Sequence, residues 1–214
     1  MFKAALFDLD GTLIDSEIIW VRATRDYIRD NGFDCADEAA LKIVYGRSWY
    51  NIAKDTAALF PGLASLSPMQ MADQVRVYYS RLTEHVDISV PGSVRLCKRL
   101  SKTMTTAIVS GSPRLDVELA AKKIGIENDL SFIIGAEEYG EGKPNPQCYL
   151  MGAERAGVKP SECVVFEDAT VGVQAAKNAG MYCVALRVAG RPEQDLSRAD
   201  EILTDLDTWQ IPAL

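Results

Sequence analysis

Short apolar runs recur along the chain at Lys3–Phe7, Met104–Val109, Phe132–Ile134, Cys163–Phe166 and Met181–Leu186, with a weaker one at Glu201–Leu203. They are rich in Val, Ile and Phe and do not alternate cleanly with polar residues. That is the pattern of parallel strands covered on both faces. Amphipathic stretches with legible ends lie between them. Ser112-Pro113 reads as an N-cap with proline at the first helical position, and Gly125 closes that helix. Further helices run from about Pro146 to Gly157 and from about Thr170 to Gly180. Strand and helix in alternation predict an α/β fold, a doubly wound parallel (Rossmann-like) sheet.

One region departs from this rhythm. Between residues 16 and 86 there is no strand run, and helical patterns follow one another at Ser16–Asn31, Asp37–Tyr45, Ser48–Leu59 and Ser67–His85. Gly32, Gly46 and Pro61-Gly62 separate them. Ser67-Pro68-Met69-Gln70 has the form of a capping box with proline in the first turn. The expectation is an all-helical domain, 16–86, inserted into an α/β core made of 1–15 and 87–214.

Composition narrows the function. The chain has 23 Lys and Arg against 30 Asp and Glu, a net charge of −7, and its basic residues are scattered among acids. No basic stripe suited to nucleic acid results. No apolar run approaches the length of a membrane span, and the N-terminal one is too short for a signal-peptide core. The five cysteines form no Cys-x-x-Cys pair, which suggests a reduced cytoplasmic protein with buried thiols. His85 is the one histidine, so His-based zinc sites and paired-histidine chemistry are excluded. The chain is taken as a monomer with no membrane or nucleic-acid partner.

Four strand ends carry candidate chemistry. Phe7-Asp8-Leu9-Asp10-Gly11-Thr12 puts two carboxylates and a turn-permitting glycine where ligands gather in parallel sheets, although an acidic turn would look the same. Val109-Ser110-Gly111-Ser112 leads into a helix N-terminus, where free N–H groups bind anions. Gly142-Lys143-Pro144 aims a lysine from a proline-fixed loop, or is an exposed turn. Phe166-Glu167-Asp168 ends another strand in two acids of the kind that hold hard cations, with Asp168 as an ordinary N-cap the alternative.

In this order, and each at a strand end, these segments resemble the four motifs of the haloacid dehalogenase-like hydrolase superfamily, across essentially the whole chain. The helical insert resembles the family's small C1-type cap, and the nearest likeness is the subgroup holding β-phosphoglucomutase and the sugar-phosphate phosphatases. The resemblance implies that Asp8 is the nucleophile, forming an aspartyl-phosphate, and Asp10 the general acid and base. Thr12, Ser110, Gly111 and Lys143 would hold the phosphoryl oxygens. Asp8, the Asp10 carbonyl and Asp168 would bind Mg2+, with Glu167 on the ion or one hydrogen bond behind it. A cation is physically apt, because each unit-charge pair of carboxylate and phosphate at about 4 Å repels by roughly 4 kcal/mol at an effective dielectric near 20.

The presence of Asp10 favours phosphate-ester chemistry over the dehalogenase and phosphonate-cleaving branches. Trp20 stands where the mutase carries a cap histidine, which favours a phosphatase of a small phosphorylated metabolite, with a phosphosugar mutase as the alternative. Gly46 and Arg47 fall where the family carries a specificity loop, and Trp20, Trp49 and Tyr50 could line a sugar-sized space or simply form cap core. A receiver domain would be far shorter and lack the insert. A non-catalytic scaffold would have no need of Asp8, Asp10, Ser110, Lys143 and Asp168 together.

Overall fold

A computed structural model describes residues 1–44, 49–84 and 86–212; Gly46, Arg47 and His85 lie outside these, as do the side chains of Trp49 and Tyr50. The chain divides into two compact units, one of Met1–Ile14 with Ser89–Leu214 and one of Asp15–Ile88. Among the described residues no helix is long and apolar enough to cross a membrane.

The first unit is built on a six-stranded sheet in which every pairing is parallel. Its strands are β1 (Ala4–Phe7), β2 (Thr105–Val109), β3 (Phe132–Ile134), β4 (Cys163–Glu167), β5 (Tyr182–Leu186) and β6 (Glu201–Leu203). The order is β3-β2-β1-β4-β5-β6. The chain therefore winds one way from β1 and then the other, and the reversal falls between β1 and β4. In doubly wound sheets the crevice beyond the carboxyl ends at such a reversal is the ligand position. Register brings the relevant ends level, with Phe7 opposite both Ile108 and Phe166. Asp8, Ser110 and Glu167 consequently emerge side by side.

The strands form because both faces of the sheet are covered. β1 and β4 are buried at every position. On one face Leu6, Val109 and Val165 share a core with Tyr149 and Val173. Elsewhere Phe7 stacks on Phe166 at 4.6 Å between ring centroids, and Trp209 meets Phe166 edge-on at 5.2 Å. Around the sheet lie α5 (Pro91–Leu100), α6 (Arg114–Lys123), α7 (Gln147–Ala156) and α8 (Thr170–Asn178). Gly157 ends α7 in the left-handed region at φ 67°, the conformation that favours glycine at this position.

The second unit contains α1 (Glu17–Asp30), α2 (Asp37–Val44), α3 (Trp49–Leu59) and α4 (Pro68–Thr83). Their apolar faces meet in a core that includes Val21, Tyr27, Ile28, Ile43 and Val75. The capping box at the start of α4 is formed, with Gln70 N–H donating to Ser67 Oγ and Ser67 N–H to Gln70 Oε1. Trp20 stacks on Tyr79 at 3.9 Å.

Each unit closes its own ends where the chain passes between them. Ile14 pairs with Ser89, and Val90 N–H donates to Leu13 C=O, all within the first unit. Asp15 N–H donates to Ile88 C=O within the second.

One expected cap, that of Ser112, is corrected, and the alternative reading of Asp168 as an N-cap falls away. α6 starts at Arg114 with Pro113 in the capping position and no side-chain cap, so Ser112 is not the N-cap. The N-cap of α8 is Ala169, again with no side-chain cap, and not Asp168. Ser112 Oγ instead donates to Asp10, and Asp168 accepts from Thr12 and Arg191.

Candidate active site

Asp8 leaves the end of β1, Glu167 ends β4, and Lys143 comes from the loop before α7; all three are largely buried. Lys143 Nζ donates to Asp8 Oδ1 at 2.5 Å, to Glu167 Oε1 at 2.7 Å and to the Val109 carbonyl at 3.2 Å. The ammonium also sits over the Tyr149 ring, 5.0 Å from its centroid. Burial alone would discharge this lysine, but the two carboxylates overcome that and push its pKa well above the ordinary value. It is a fixed positive charge.

One ammonium cannot balance the acids around it. Burial pushes the Asp8 carboxyl well above its usual range; the pull of Lys143 opposes this, and Glu167 and Asp168 reinforce it. One carboxylate oxygen each from Asp8, Glu167 and Asp168 lies within 4.8 Å of the others. Hard oxygen donors with surplus negative charge are what a divalent cation such as Mg2+ accepts, so the residues present fit such an ion.

The three acids differ in how they are held. Glu167 Oε1 accepts from Lys143 and from the Tyr149 hydroxyl at 2.9 Å. Its Oε2 accepts from the N–H groups of Asp168 at 3.0 Å and Ala169 at 3.1 Å. A carboxylate offers about four acceptor positions, so a cation bound directly to Glu167 would displace one of these donors. Asp168 Oδ1 accepts from Thr12 Oγ1 at 3.1 Å, and its Oδ2 pairs with Arg191 Nη1 at 3.3 Å. Thr12 is fully buried, its hydroxyl on Asp168.

Asp10 Oδ2 accepts from Ser112 Oγ at 2.7 Å, which is the partner that draws Ser112 away from capping α6. Ser110 Oγ in turn accepts from Ser112 N–H at 3.0 Å, and Tyr139 OH donates to the Ser110 carbonyl at 2.9 Å. Asp8, Asp10, Ser110, Gly111, Lys143 and Glu167 all line one cavity of about 450 Å3, whose lining also includes Tyr139, Gly140 and Val171. The arrangement offers a buried carboxylate facing an open volume, a second carboxylate two residues on, a fixed cation, and an acidic cluster for a metal.

The structure thus brings Asp8, Asp10, Ser110, Gly111, Lys143, Glu167 and Asp168 together, with Thr12 packed behind Asp168. Trp20 belongs to the other unit. Sequence reasoning missed Tyr149, Arg191 and the Asp10 partner Ser112. Tyr149 follows Lys143 on an apolar helical face and reads as core, and nothing near Arg191 marks it.

Comparison with known proteins identifies the family. A family model described as haloacid dehalogenase-like hydrolase matches residues 2–180. The chain is 34% identical over 213 residues to validoxylamine A 7'-phosphate phosphatase of Streptomyces hygroscopicus subsp. limoneus, covering 99% of this chain and 98% of that one. It is 31% identical over 207 residues to hexitol phosphatase A of Escherichia coli (strain K12), covering 96% and 92%. The crystal structure of β-phosphoglucomutase from Clostridium difficile superposes with a TM-score of 0.76 at 24% identity, over 98% of this chain and 94% of that one, which bears on the fold alone. The chain belongs to the haloacid dehalogenase-like hydrolase family.

Proposed function

We propose that this phosphoric monoester hydrolase is a Mg2+-dependent phosphatase of a small phosphorylated sugar or polyol, working through an aspartyl-phosphate on Asp8. The observation that carries the reading is the Asp8 carboxylate held by Lys143 in the lining of the cavity, with Asp10 in the same lining and bonded to the Ser112 hydroxyl. A relative named as a hexitol phosphatase supports the substrate class.

An Asp8 oxygen attacks phosphorus while the bond from phosphorus to the ester oxygen breaks. Asp10 gives a proton to that leaving oxygen. Asp10, now a carboxylate, then takes a proton from water as the water oxygen attacks the aspartyl-phosphate, returning Asp8 and releasing inorganic phosphate. Lys143, Ser110 and the N–H groups after β2 would hold the phosphoryl oxygens. A divalent ion held by Asp8 and Asp168, with the Asp10 carbonyl, would neutralise charge between the two anions. Glu167 keeps Lys143 in place.

The helical unit is the proposed cap and selects the substrate, the role in which the sequence placed Trp20, Gly46 and Arg47. The buried cysteines, none in a disulfide, fit a reducing compartment, and we place the enzyme in the cytoplasm.

The test is phosphate release from a panel of sugar and polyol phosphates, with and without Mg2+, alongside an Asp8→Asn variant. Mg2+-dependent release that the variant abolishes is the expected result. Release that survives in the variant would overturn the nucleophile assignment. Isomerisation of β-glucose 1-phosphate without release would favour the mutase.

A further inference from the structure

We propose that Arg191 is a positioning residue for the divalent-cation site, acting through Asp168 and the Gly11 carbonyl; this rests on the phosphatase reading above. Arg191 lies on the segment between β5 and β6, which carries none of the four motifs. Its Nη1 donates to the Gly11 carbonyl at 2.5 Å and to Asp168 Oδ2 at 3.3 Å, and its side chain is 13% exposed. One guanidinium thus ties the turn after Asp8 and Asp10 to the acid at the end of β4.

Three further features make this a built arrangement. Gly11 has φ 91°, and a Cβ there would run into the Asp168 carboxylate, so turn and acid are in direct contact. Asp168 is held at both oxygens, by Thr12 from the turn and by Arg191 from the distant segment. The same segment also grips the start of α8, where Gln194 Oε1 accepts from Thr170 N–H at 3.0 Å and from Thr170 Oγ1 at 2.9 Å. Asp195 N–H donates to Thr170 Oγ1 at 2.8 Å. The segment is therefore fixed, and so is the arginine it carries.

Two effects of Arg191 on a bound dication oppose each other. On charge alone, removing a guanidinium would make the acidic cluster more attractive to Mg2+. On orientation, removal frees Asp168 to rotate and releases the Gly11 peptide next to the Asp10 carbonyl. Orientation dominates, because a small cation with near-octahedral demands gains little from carboxylates that must first be ordered.

The test is calorimetric titration of Mg2+ into the metal-free full-length protein, which needs no turnover. Arg191→Met is expected to weaken Mg2+ binding by about 10- to 100-fold, the usual range for residues that orient ligands. Arg191→Lys, which keeps a charged donor, should recover most of that loss. Arg191→Gln keeps an N–H donor without charge and gives the same reading if the Met variant does not fold; it should also bind Mg2+ more weakly than wild type. Folded variants that bind Mg2+ as tightly as wild type, or more tightly, overturn the proposal. A wild-type protein that binds no Mg2+ would instead overturn the phosphatase reading, so the two failures are distinguishable.

Discussion

Gly172→Ala sets two effects of opposite sign against each other. Gly172 is the third residue of α8, and alanine there would favour the helix by about 1 kcal/mol on intrinsic propensity. A Cβ at that position, however, lands inside the Glu167 carboxylate. Glu167 cannot step aside freely, because Lys143, Tyr149 and two backbone N–H groups hold both its oxygens. Overpacking costs about 1–3 kcal/mol, and pulling the carboxylate off even one of these donors costs about 1.5–3 kcal/mol more. The net expectation is a loss of about 1.5–5 kcal/mol, or a Tm lower by roughly 3–20 °C for a chain of this size. Displacing Glu167 also displaces Lys143 from Asp8, and a shift near 1 Å at reacting groups costs on the order of 100-fold in kcat. Thermal and urea unfolding of metal-free protein, with kcat on the best substrate, check both halves. A Tm equal to or above wild type, with kcat retained, would refute the claim that Glu167 is pinned.

Tyr149→Phe removes the hydroxyl that donates to Glu167 while keeping the ring beneath Lys143, and it should destabilise by about 1.5–3 kcal/mol in urea unfolding; a loss under about 0.5 kcal/mol would show the bond to be unimportant. Glu138→Gln tests a pH dependence away from the metal ligands. Burial pushes the Glu138 carboxyl up, but the Gly135 N–H and the guanidinium groups of Arg155 and Arg114 outweigh it, so its pKa is lowered in the folded state. A lowered carboxyl pKa contributes stability that is complete above the unfolded value, about 4.3, and is lost as pH falls through the folded value. Wild type should therefore be more stable than Glu138→Gln at pH 6, and the gap should close with acidification; a gap constant from pH 7 to pH 3 would refute this.

Strand ends were legible in the sequence because both-face burial imposes continuous apolar runs, and Asp8 and Glu167 stop those runs abruptly. The capping box at Ser67 was legible because its two hydrogen bonds are local. Ser112 was not: Ser-Pro before a helix signals a cap, yet parallel register brings the Ser112 hydroxyl to Asp10, a pairing that leaves no local pattern. Arg191 is harder still, since its partner Gly11 lies 180 positions away and its neighbours Gly190 and Pro192 say only that the chain turns. Thr12 was assigned to the phosphate by the family resemblance alone, and its hydroxyl donates to Asp168. Long-range polar pairings of this kind leave no periodicity, which is why the acids and Lys143 could be found from sequence but Tyr149, Arg191 and the pairing of Ser112 with Asp10 could not.

The pairing of Ile14 with Ser89, and of Asp15 with Ile88, has a thermodynamic consequence. Were the intervening residues a flexible coil, closing that loop would cost on the order of 4 kcal/mol of chain entropy. An insert that folds with its own ends hydrogen-bonded absorbs this cost internally and presents the sheet with a connection only a few residues long. β1 and α5 can then meet without waiting on a wide excursion of the chain. Any insert whose ends meet in the same way would present the sheet with a closure of similar entropic cost, whatever its interior, and would leave the register of β1 and the acids beside it unchanged.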